Sequence, residues 1–182
     1  MKKYTLVVNL FLVCITMPAM ASETVPLEPL KVGEVSTEQY DVLEGETDAY
    51  YWVPDTVKEY AEWYGTIMVV DIANQHVYCC VDGEIIADAD CVTGDLYNSP
   101  TPTGLYSVWY MVRGLYMMGA YYTEYAAFFN GEIALHDADA WRSEYGGTIY
   151  QGSGSHGCVN LPRWFAEIVY ANTVIGTPVY VF

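Results

Sequence analysis

The sequence predicts a mostly β domain that runs from about residue 65 to the C-terminus, with one or two short helices. Short apolar runs of strand length alternate with turn signals along this part of the chain. Only two segments combine a helix start signal with a helical composition. Apolar residues make up 53% of the 182-residue chain, which is enough to bury the core of one domain with short extensions.

A short helix is expected ahead of the first strand. Asp55 is placed to cap its N-terminus, and Gly65 is placed to end it. After Gly65 the hydrophobic pattern changes to that of strands. Strands or strand-like segments are expected at 67–72, 75–81, 84–92, 105–112, 132–135 and 179–182, and residues 121–129 form a very aromatic segment.

Turn and loop signals separate these segments. Asp82-Gly83 predicts a hairpin between the second and third strands, and Asn130-Gly131 predicts a turn after an aromatic segment. Residues 93–104 have the glycine and proline content of a loop. Pro162 favours the start of a second helix, which we expect to extend to Ala171.

The N-terminal residues have the pattern of an export signal. Two lysines follow the initiating methionine, residues 6–15 form a short apolar run, and Ala19-Met20-Ala21 fits a cleavage pattern of small residues. We therefore interpret residues 1–21 as a signal peptide and residues 22–64 as an acidic linker or arm with a short helix. The apolar run is too short to favour a transmembrane anchor. We expect an exported protein, in the periplasm or in the cell wall outside the cell.

The formal charge of −16 limits the classes of partner. Nucleic acids and anionic membrane surfaces would repel such a chain, so we exclude both as partners. The plain interpretation of the charge is solubility in an extracellular setting. Two of the few cations, Arg142 and Arg163, flank the motif that contains the chemistry.

That motif is Ser155-His156-Gly157-Cys158-Val159-Asn160, with His136 upstream at the end of an apolar run. A thiol is mostly protonated at neutral pH, and a neighbouring imidazole that takes its proton leaves a strong nucleophile. A glycine between them lets a backbone N–H approach a reacting carbonyl closely. These residues point to acyl transfer through a cysteine thioester.

The remaining cysteines support a free thiol at Cys158. Cleavage after residue 21 would leave three cysteines in addition to Cys158, namely Cys79, Cys80 and Cys91. An odd set of three cannot pair completely within one chain. Cys79 and Cys80 are adjacent, so at most one of them faces the core on a regular strand. We favour a role as small buried hydrophobic residues for Cys79 and Cys80 over a disulfide of either one with Cys91.

The motif and its surroundings resemble the L,D-transpeptidases, the YkuD-type peptidoglycan enzymes. The similarity extends over roughly residues 65–182, which we interpret as the catalytic domain, and it implies a β-sandwich of mixed strands. Its landmarks occur in the family's order: Gln75, Thr101-Pro102-Thr103-Gly104, His136-Asp137-Ala138, Trp141-Arg142, Tyr145-Gly146-Gly147, Gly154 to Asn160, and Gly176-Thr177-Pro178-Val179.

The resemblance implies a reaction and its partners. Such enzymes cut a tetrapeptide stem before its terminal D-alanine and hold the stem as a thioester. They pass it to an amine on another stem, which gives a 3→3 cross-link, or to a wall-attached protein. With water as acceptor, the same site is an L,D-carboxypeptidase. Carbapenems acylate the family's cysteine, and no cofactor or metal is implied.

By the same resemblance, Cys158 is the nucleophile and His136 the general base, oriented by a backbone carbonyl at Asp137. The N–H groups of Gly157 and Cys158 would bind the oxyanion. His156 has two open roles, since its ring either contributes to the electrostatics of the site or fixes the loop by hydrogen bonding.

The other candidates lie on the substrate side of the site. Arg142 either binds a carboxylate of the stem or forms an ion pair with Glu144 or a nearby aspartate. We expect Ser155 and Asn160 to brace the loop rather than touch the substrate. One or two of the aromatic residues should line a cleft for the stem, from the set Trp141, Tyr121, Tyr122, Tyr125, Phe128 and Phe129.

Two alternatives belong to other functional classes. His136, His156 and Cys158 are three side chains that could bind zinc with an open position, which would make the protein a zinc hydrolase. The chain could also be a wall-binding module with an inactive site, although an intact Cys158, His136 and Gly157 argue against this interpretation.

Overall fold

The structure is a computed structural model that describes residues 52–182. The predicted signal peptide, residues 1–21, and the acidic residues that follow it up to residue 51 lie outside the described residues. Within residues 52–182, no helix is both long enough and apolar enough to cross a membrane.

The described part of the chain folds into nine strands and three helices. In chain order they are α1 (Asp55–Tyr64), β1 (Ile67–Asp71), β2 (His76–Val81), β3 (Glu84–Asp90), β4 (Gly104–Ser107), β5 (Tyr110–Met117), β6 (Tyr121–Asn130), β7 (Ile133–Asp137), α2 (Tyr150–Ser153), β8 (Val159–Leu161), α3 (Arg163–Ala171) and β9 (Pro178–Val181).

The strands form two mixed sheets, as the family resemblance implies. One sheet has five strands in the order β3-β2-β1-β9-β4, and the other has four in the order β5-β6-β7-β8. Two neighbouring pairs are parallel, β1 with β9 and β7 with β8, and the remaining pairs are antiparallel. The β7–β8 pair forms the edge of the four-stranded sheet that carries the functional motif.

The main core lies between the sheets and α3. Inward-facing residues of both sheets pack there against Phe165, Ala166 and Val169 of α3. The helix α1 covers the opposite face of the five-stranded sheet, where Val57 and Ala61 are buried in a second apolar cluster. The five-stranded sheet is therefore covered on both faces.

This double cover explains how both adjacent cysteines are buried, and it confirms the prediction that they are small buried hydrophobic residues. Cys79 belongs to the main core and Cys80 to the cluster beneath α1, and both are fully buried. Alternation along the strand does place them on opposite faces, but both faces are apolar. Cys79, Cys80 and Cys91 are free thiols, and burial raises the pKa of Cys79 to about 12 and that of Cys80 to about 11.

The expected strand at 105–112 is in fact two strands in different sheets. The segment pairs with β9 up to Ser107 and with β6 from Tyr110 onward. Between them, Val108 is buried and exchanges backbone hydrogen bonds with the loop before β9, where its N–H donates to Thr177 O and its carbonyl accepts from Gly176 N–H. The short helix α2 was not predicted.

Candidate active site

The parallel pairing of β7 and β8 brings the two halves of the sequence motif together. His136 lies opposite Asn160 in this pair and Leu135 lies opposite Val159, so the same register places Cys158 beside Ala134. Opposed residues in neighbouring strands share a face of the sheet, and residues two apart on one strand also share a face. Cys158 and His136 therefore lie on the same face, because Cys158 is opposite Ala134 and Ala134 is two residues before His136 on β7.

This face forms the wall of an open cavity of about 570 Å³. Seven of the eight residues singled out from the sequence line it, and the eighth, Gly157, lies within the loop that forms its wall. The seven are Cys158, His136, His156, Arg142, Ser155, Asn160 and Trp141.

The Cys158 thiol is directed at the turn before β7 in this structure. Its Sγ donates a hydrogen bond to the carbonyl oxygen of Glu132 at 3.6 Å and makes no hydrogen bond to His136. Burial is the main cause that raises the pKa of Cys158 above its ordinary value, and the Glu132 charge adds to it. A hydrogen bond from the Ala134 N–H opposes this effect. The thiol is therefore protonated at rest.

His136 is held as a neutral base. The ring is buried, with 3% exposed, and its Nδ1 lies 2.9 Å from the Asp137 carbonyl oxygen. A carbonyl only accepts hydrogen bonds, so the proton sits on Nδ1 and Nε2 is left as an acceptor. Burial is the largest cause that lowers the pKa of His136. This contact confirms the orienting carbonyl that the resemblance implied.

The Asp137 side chain fixes the position of that carbonyl. Its Oδ1 accepts three hydrogen bonds from β6, from the Thr123 hydroxyl at 2.6 Å and from the N–H groups of Glu124 at 2.8 Å and Tyr125 at 2.7 Å. Sequence reasoning assigned Asp137 only a backbone role. The structure shows that its carboxylate also ties the base-bearing strand to its neighbour.

One of the two expected oxyanion donors, the Gly157 N–H, already has an acceptor in this structure. The group donates to the Ser155 hydroxyl oxygen at 3.1 Å, and that hydroxyl donates in turn to the Cys158 carbonyl. Ser155 therefore braces the loop, and the Gly157 N–H is not free to bind an oxyanion. The Cys158 N–H has no acceptor within residues 52–182, so it is the donor left for that role.

A second loop, residues 93–101, holds the cysteine loop in place. Ser155 N–H donates to Thr93 O and Asp95 N–H donates to Ser155 O, each at 2.9 Å. Behind them, the fully buried side chain of Gln75 makes two hydrogen bonds to Thr93. Gln75 Nε2 donates to the Thr93 hydroxyl at 2.7 Å, and the Thr93 N–H donates to Gln75 Oε1 at 2.9 Å. The sequence marked Gln75 as a landmark without showing what it contacts.

Thr101 connects the two loops directly. Its hydroxyl donates to the Gly157 carbonyl and accepts from the Gly94 N–H, both at 2.8 Å. The loops approach so closely that a Cβ on Gly94 would lie 2.1 Å from Ser99 O and 2.9 Å from the Gly157 Cα. Gly94 was predicted only as part of a loop, because this requirement comes from residues far along the chain.

Arg142 points into the cavity without a carboxylate partner. Its guanidinium donates to the Ser153 carbonyl at 3.0 Å, and its buried Nε has no hydrogen-bond partner. Among the described residues it forms no ion pair within 4.0 Å, so the alternative of a pair with Glu144 or a nearby aspartate is not seen. Burial lowers the pKa of Arg142, yet a guanidinium remains charged.

His156 lies at the edge of the cavity and is exposed. The chain bends at His156 and Gly157, where Gly157 has a φ of +110°, so the segment is not extended. Within the described residues the ring makes no hydrogen bond that would fix the loop. The electrostatic role remains the open interpretation for His156.

Three of the six aromatic candidates line the cavity: Trp141, Tyr121 and Phe128. Tyr125 and Phe129 are buried core residues instead, and the Tyr122 hydroxyl donates to Glu124. The tip of the β5–β6 hairpin adds wall residues that sequence reasoning missed, since no chemical motif marks them. They are Leu115, Tyr116, Met117 and Met118.

The described residues include no group of three or more histidine, cysteine, aspartate or glutamate side chains placed to hold a metal ion. His136, His156 and Cys158 all border the cavity, but they do not form such a group. The zinc-hydrolase alternative therefore has no ligand set in this part of the chain.

Comparisons with known proteins agree with this geometry. The family model for the YkuD L,D-transpeptidase catalytic domain matches residues 65–181. A crystal structure of a cysteine-to-serine mutant of Enterococcus faecium L,D-transpeptidase is 31% identical, with a TM-score of 0.59, over 65% of this chain and 50% of that one. A comparison with curated protein sequences found no match.

Two further solved structures are similar. The NMR structure of the E. faecium catalytic domain acylated by ertapenem is 32% identical, with a TM-score of 0.55, over 65% of this chain and 97% of that one. An L,D-transpeptidase from Stackebrandtia nassauensis is 25% identical, with a TM-score of 0.55, over 65% of this chain and 55% of that one. This chain thus spans about half the length of the chain in the E. faecium mutant structure.

Proposed function

This chain belongs to the L,D-transpeptidase catalytic-domain family, and from that premise we propose that it acts on peptidoglycan tetrapeptide stems through a thioester on Cys158. The observation that supports this most is the pairing of β7 with β8. It places the thiol and a neutral His136, whose Nε2 is left as a proton acceptor, on one wall of the same cavity.

The proposed acylation begins with a rotation of the Cys158 side chain from the Glu132 carbonyl toward His136. Catalytic hydrogen bonds are often formed only when substrate is bound, so the resting contact is compatible with this step. The thiol proton passes to Nε2 as Sγ attacks the carbonyl carbon of the third stem residue. The amide C–N bond then breaks, and the departing D-alanine amine takes the proton from His136, which leaves the thioester.

Deacylation runs through the same groups. An acceptor amine attacks the thioester carbonyl and transfers a proton to His136, and a new amide forms as the C–S bond breaks. The thiolate recovers its proton from the imidazolium. A stem amine as acceptor gives a 3→3 cross-link, an amine of a wall-attached protein gives attachment, and water gives L,D-carboxypeptidase activity.

Two groups are proposed to bind charge that belongs to the substrate or develops during reaction. The Cys158 N–H stabilises the oxyanion, and a donor of this kind contributes on the order of 3 kcal/mol to the transition state. Arg142 binds a carboxylate of the stem, because its guanidinium faces the cavity without an acidic partner. Carbapenems are proposed as acylating inhibitors, as ertapenem is for the E. faecium domain.

The organisation of the whole chain is part of the proposal. Residues 1–21 direct export, residues 22–64 form an acidic arm whose helix α1 packs on the five-stranded sheet, and residues 65–182 form the catalytic domain, which acts in the periplasm or the cell wall. The second candidate is a catalytically inactive wall-binding module, which would bind stems without using the thiol and the imidazole for proton transfer.

Incubation with a disaccharide-tetrapeptide, followed by mass spectrometry, tests the function. Release of D-alanine together with a joined dimer supports transpeptidation, and release without a dimer identifies the carboxypeptidase. Cys158→Ala is the matched control and should give neither product. If the wild type binds the substrate but releases no D-alanine, the wall-binding module is the better account.

A further inference from the structure

Three aromatic rings form an exposed surface next to the cavity, which we call the aromatic shelf (Trp109, Tyr110 and Phe128). Trp109 is 54% exposed and Tyr110 is 45% exposed, although large aromatic side chains bury much apolar area when they can. Ring centroids lie 5.6 Å apart for Trp109 and Tyr110, 5.7 Å for Tyr110 and Phe128, and 6.2 Å for Trp109 and Phe128. The rings pack against one another and leave one side open to solvent.

The aromatic shelf lies on the same face of the four-stranded sheet as Cys158 and is next to the cavity wall. Phe128 lines the cavity, lies opposite Ala134 of β7, and lies opposite Tyr110 of β5. Since Ala134 is beside Cys158, one row of residues runs from the nucleophile to the shelf on one face. Neighbouring strands are about 4.8 Å apart, so Phe128 lies about 10 Å from Cys158 and Tyr110 about 14 Å from it.

This separation matches the chemistry of the proposed donor. A stem bound as a thioester at its third residue leaves three residues between the reacting carbonyl and the sugar that carries the stem. An extended chain spans about 3.3–3.6 Å per residue, so three residues cover about 10 Å. A stem that extends along this row from Cys158 would place its sugar ring over the shelf.

The shelf also has the surface properties that a pyranose ring requires. The axial C–H groups of a sugar carry partial positive charge and pack against the electron-rich face of an aromatic ring. The indole of Trp109 is held in place, because its Nε1–H donates to the Gly131 carbonyl at 3.1 Å. A fixed ring loses little conformational entropy when a ligand stacks on it. An uncharged sugar also avoids repulsion from a chain of charge −16.

We propose that the aromatic shelf is a carbohydrate subsite that binds the sugar attached to the donor stem. This inference rests on the proposed function, because it takes its distance from the thioester at Cys158. It predicts that the protein distinguishes a stem on its disaccharide from the same stem without sugars.

The test compares two donors, a disaccharide-tetrapeptide and the same tetrapeptide without sugars. The measured quantity is the ratio of their kcat/KM values for release of D-alanine. The wild type should prefer the glycosylated donor, and Trp109→Ala should lower the ratio about fivefold to tenfold. Trp109→Phe keeps a flat ring and should retain most of the preference. Trp63→Ala is the matched control, since Trp63 is 70% exposed on α1, far from this face, and should keep the wild-type ratio.

A second measurement does not depend on turnover. Titration of the wild-type chain with a tetrasaccharide of N-acetylglucosamine, followed by the indole N–H resonances in NMR, should shift Trp109 and leave Trp63 unchanged. The same titration of Tyr110→Ala should need several-fold more sugar for the same shift.

The outcomes separate this inference from the proposed function. A wild type that releases D-alanine equally from both donors, with no shift at Trp109, overturns the subsite and leaves the enzyme activity intact. A shift at Trp109 without release from either donor supports the subsite and overturns the activity. If sedimentation velocity shows a wild-type dimer that Trp109→Ala converts to a monomer, the shelf is an interface between two copies and the proposal is wrong.

Discussion

Replacing Thr101 with valine tests how the cysteine loop is held in position. Valine has nearly the same shape but no hydroxyl, so the buried Gly94 N–H and Gly157 carbonyl both lose the partner that now lies 2.8 Å away. Each buried polar group left unpaired costs about 1–3 kcal/mol. We therefore expect the free energy of unfolding to fall by about 2–6 kcal/mol.

The same change should slow acylation of the molecules that remain folded. The Gly157 carbonyl belongs to the peptide bond that precedes Cys158, so its release lets the nucleophile shift relative to His136. A displacement of about 1 Å at a reacting centre can cost up to about 100-fold in rate. The assay is the rate of ertapenem adduct formation by mass spectrometry, with urea unfolding followed by circular dichroism on the same samples.

Two control variants make the result interpretable. Thr101→Ser keeps the hydroxyl and should acylate at nearly the wild-type rate. Thr103→Val makes the same chemical change two residues away at an exposed position and should alter neither quantity. If Thr101→Val acylates as fast as the wild type and unfolds at the same urea concentration, the account of the loop is wrong.

Three further predictions address the base, the proposed carboxylate site and the loop contact. Burial lowers the pKa of His136, and only the neutral ring accepts a proton, so the acid limb of the pH profile for acylation should have its midpoint below 6.5. A midpoint above 6.5, or an acid limb that is unchanged in His136→Ala, contradicts the buried base. Arg142→Lys should raise KM for the tetrapeptide donor about tenfold, whereas the surface change Arg163→Lys should leave KM unchanged. If Arg142→Lys has the same KM as the wild type, Arg142 does not bind the donor carboxylate. Gly94→Ala has no room for its methyl group, so it should lower the free energy of unfolding by about 1–3 kcal/mol or more, and an unchanged melting temperature would refute that contact.

The chemistry of the site was predictable from local sequence. The Ser155 to Asn160 motif sets the nucleophile and its loop within a few residues, and the strand that ends at His136 has a clear apolar pattern. The mostly β character followed from the strand and turn signals, whereas the two mixed sheets were implied by the family resemblance.

The sequence is uninformative where a residue's role depends on a contact that forms only when the chain is folded. Gly157 and Cys158 were assigned equal roles as oxyanion donors, but the Ser155 side chain takes the Gly157 N–H once the loop is folded. Thr101 contacts Gly157 across 56 residues, which no local pattern can show. The chain passes from one sheet to the other at Val108, within a single run of strand-forming residues. At this position the backbone of residues 176–177 takes the hydrogen bonds that a continuous strand would make within its sheet.

The proposal depends on Cys158 being the residue that forms the acyl intermediate. The most direct measurement treats the wild-type chain with ertapenem and maps the adduct by mass spectrometry of its peptides. The account predicts one adduct, on the peptide that contains Cys158, and a strong reduction of its formation rate in His136→Ala. An adduct on Cys79, Cys80 or Cys91, or a rate that does not change without the imidazole, would contradict it.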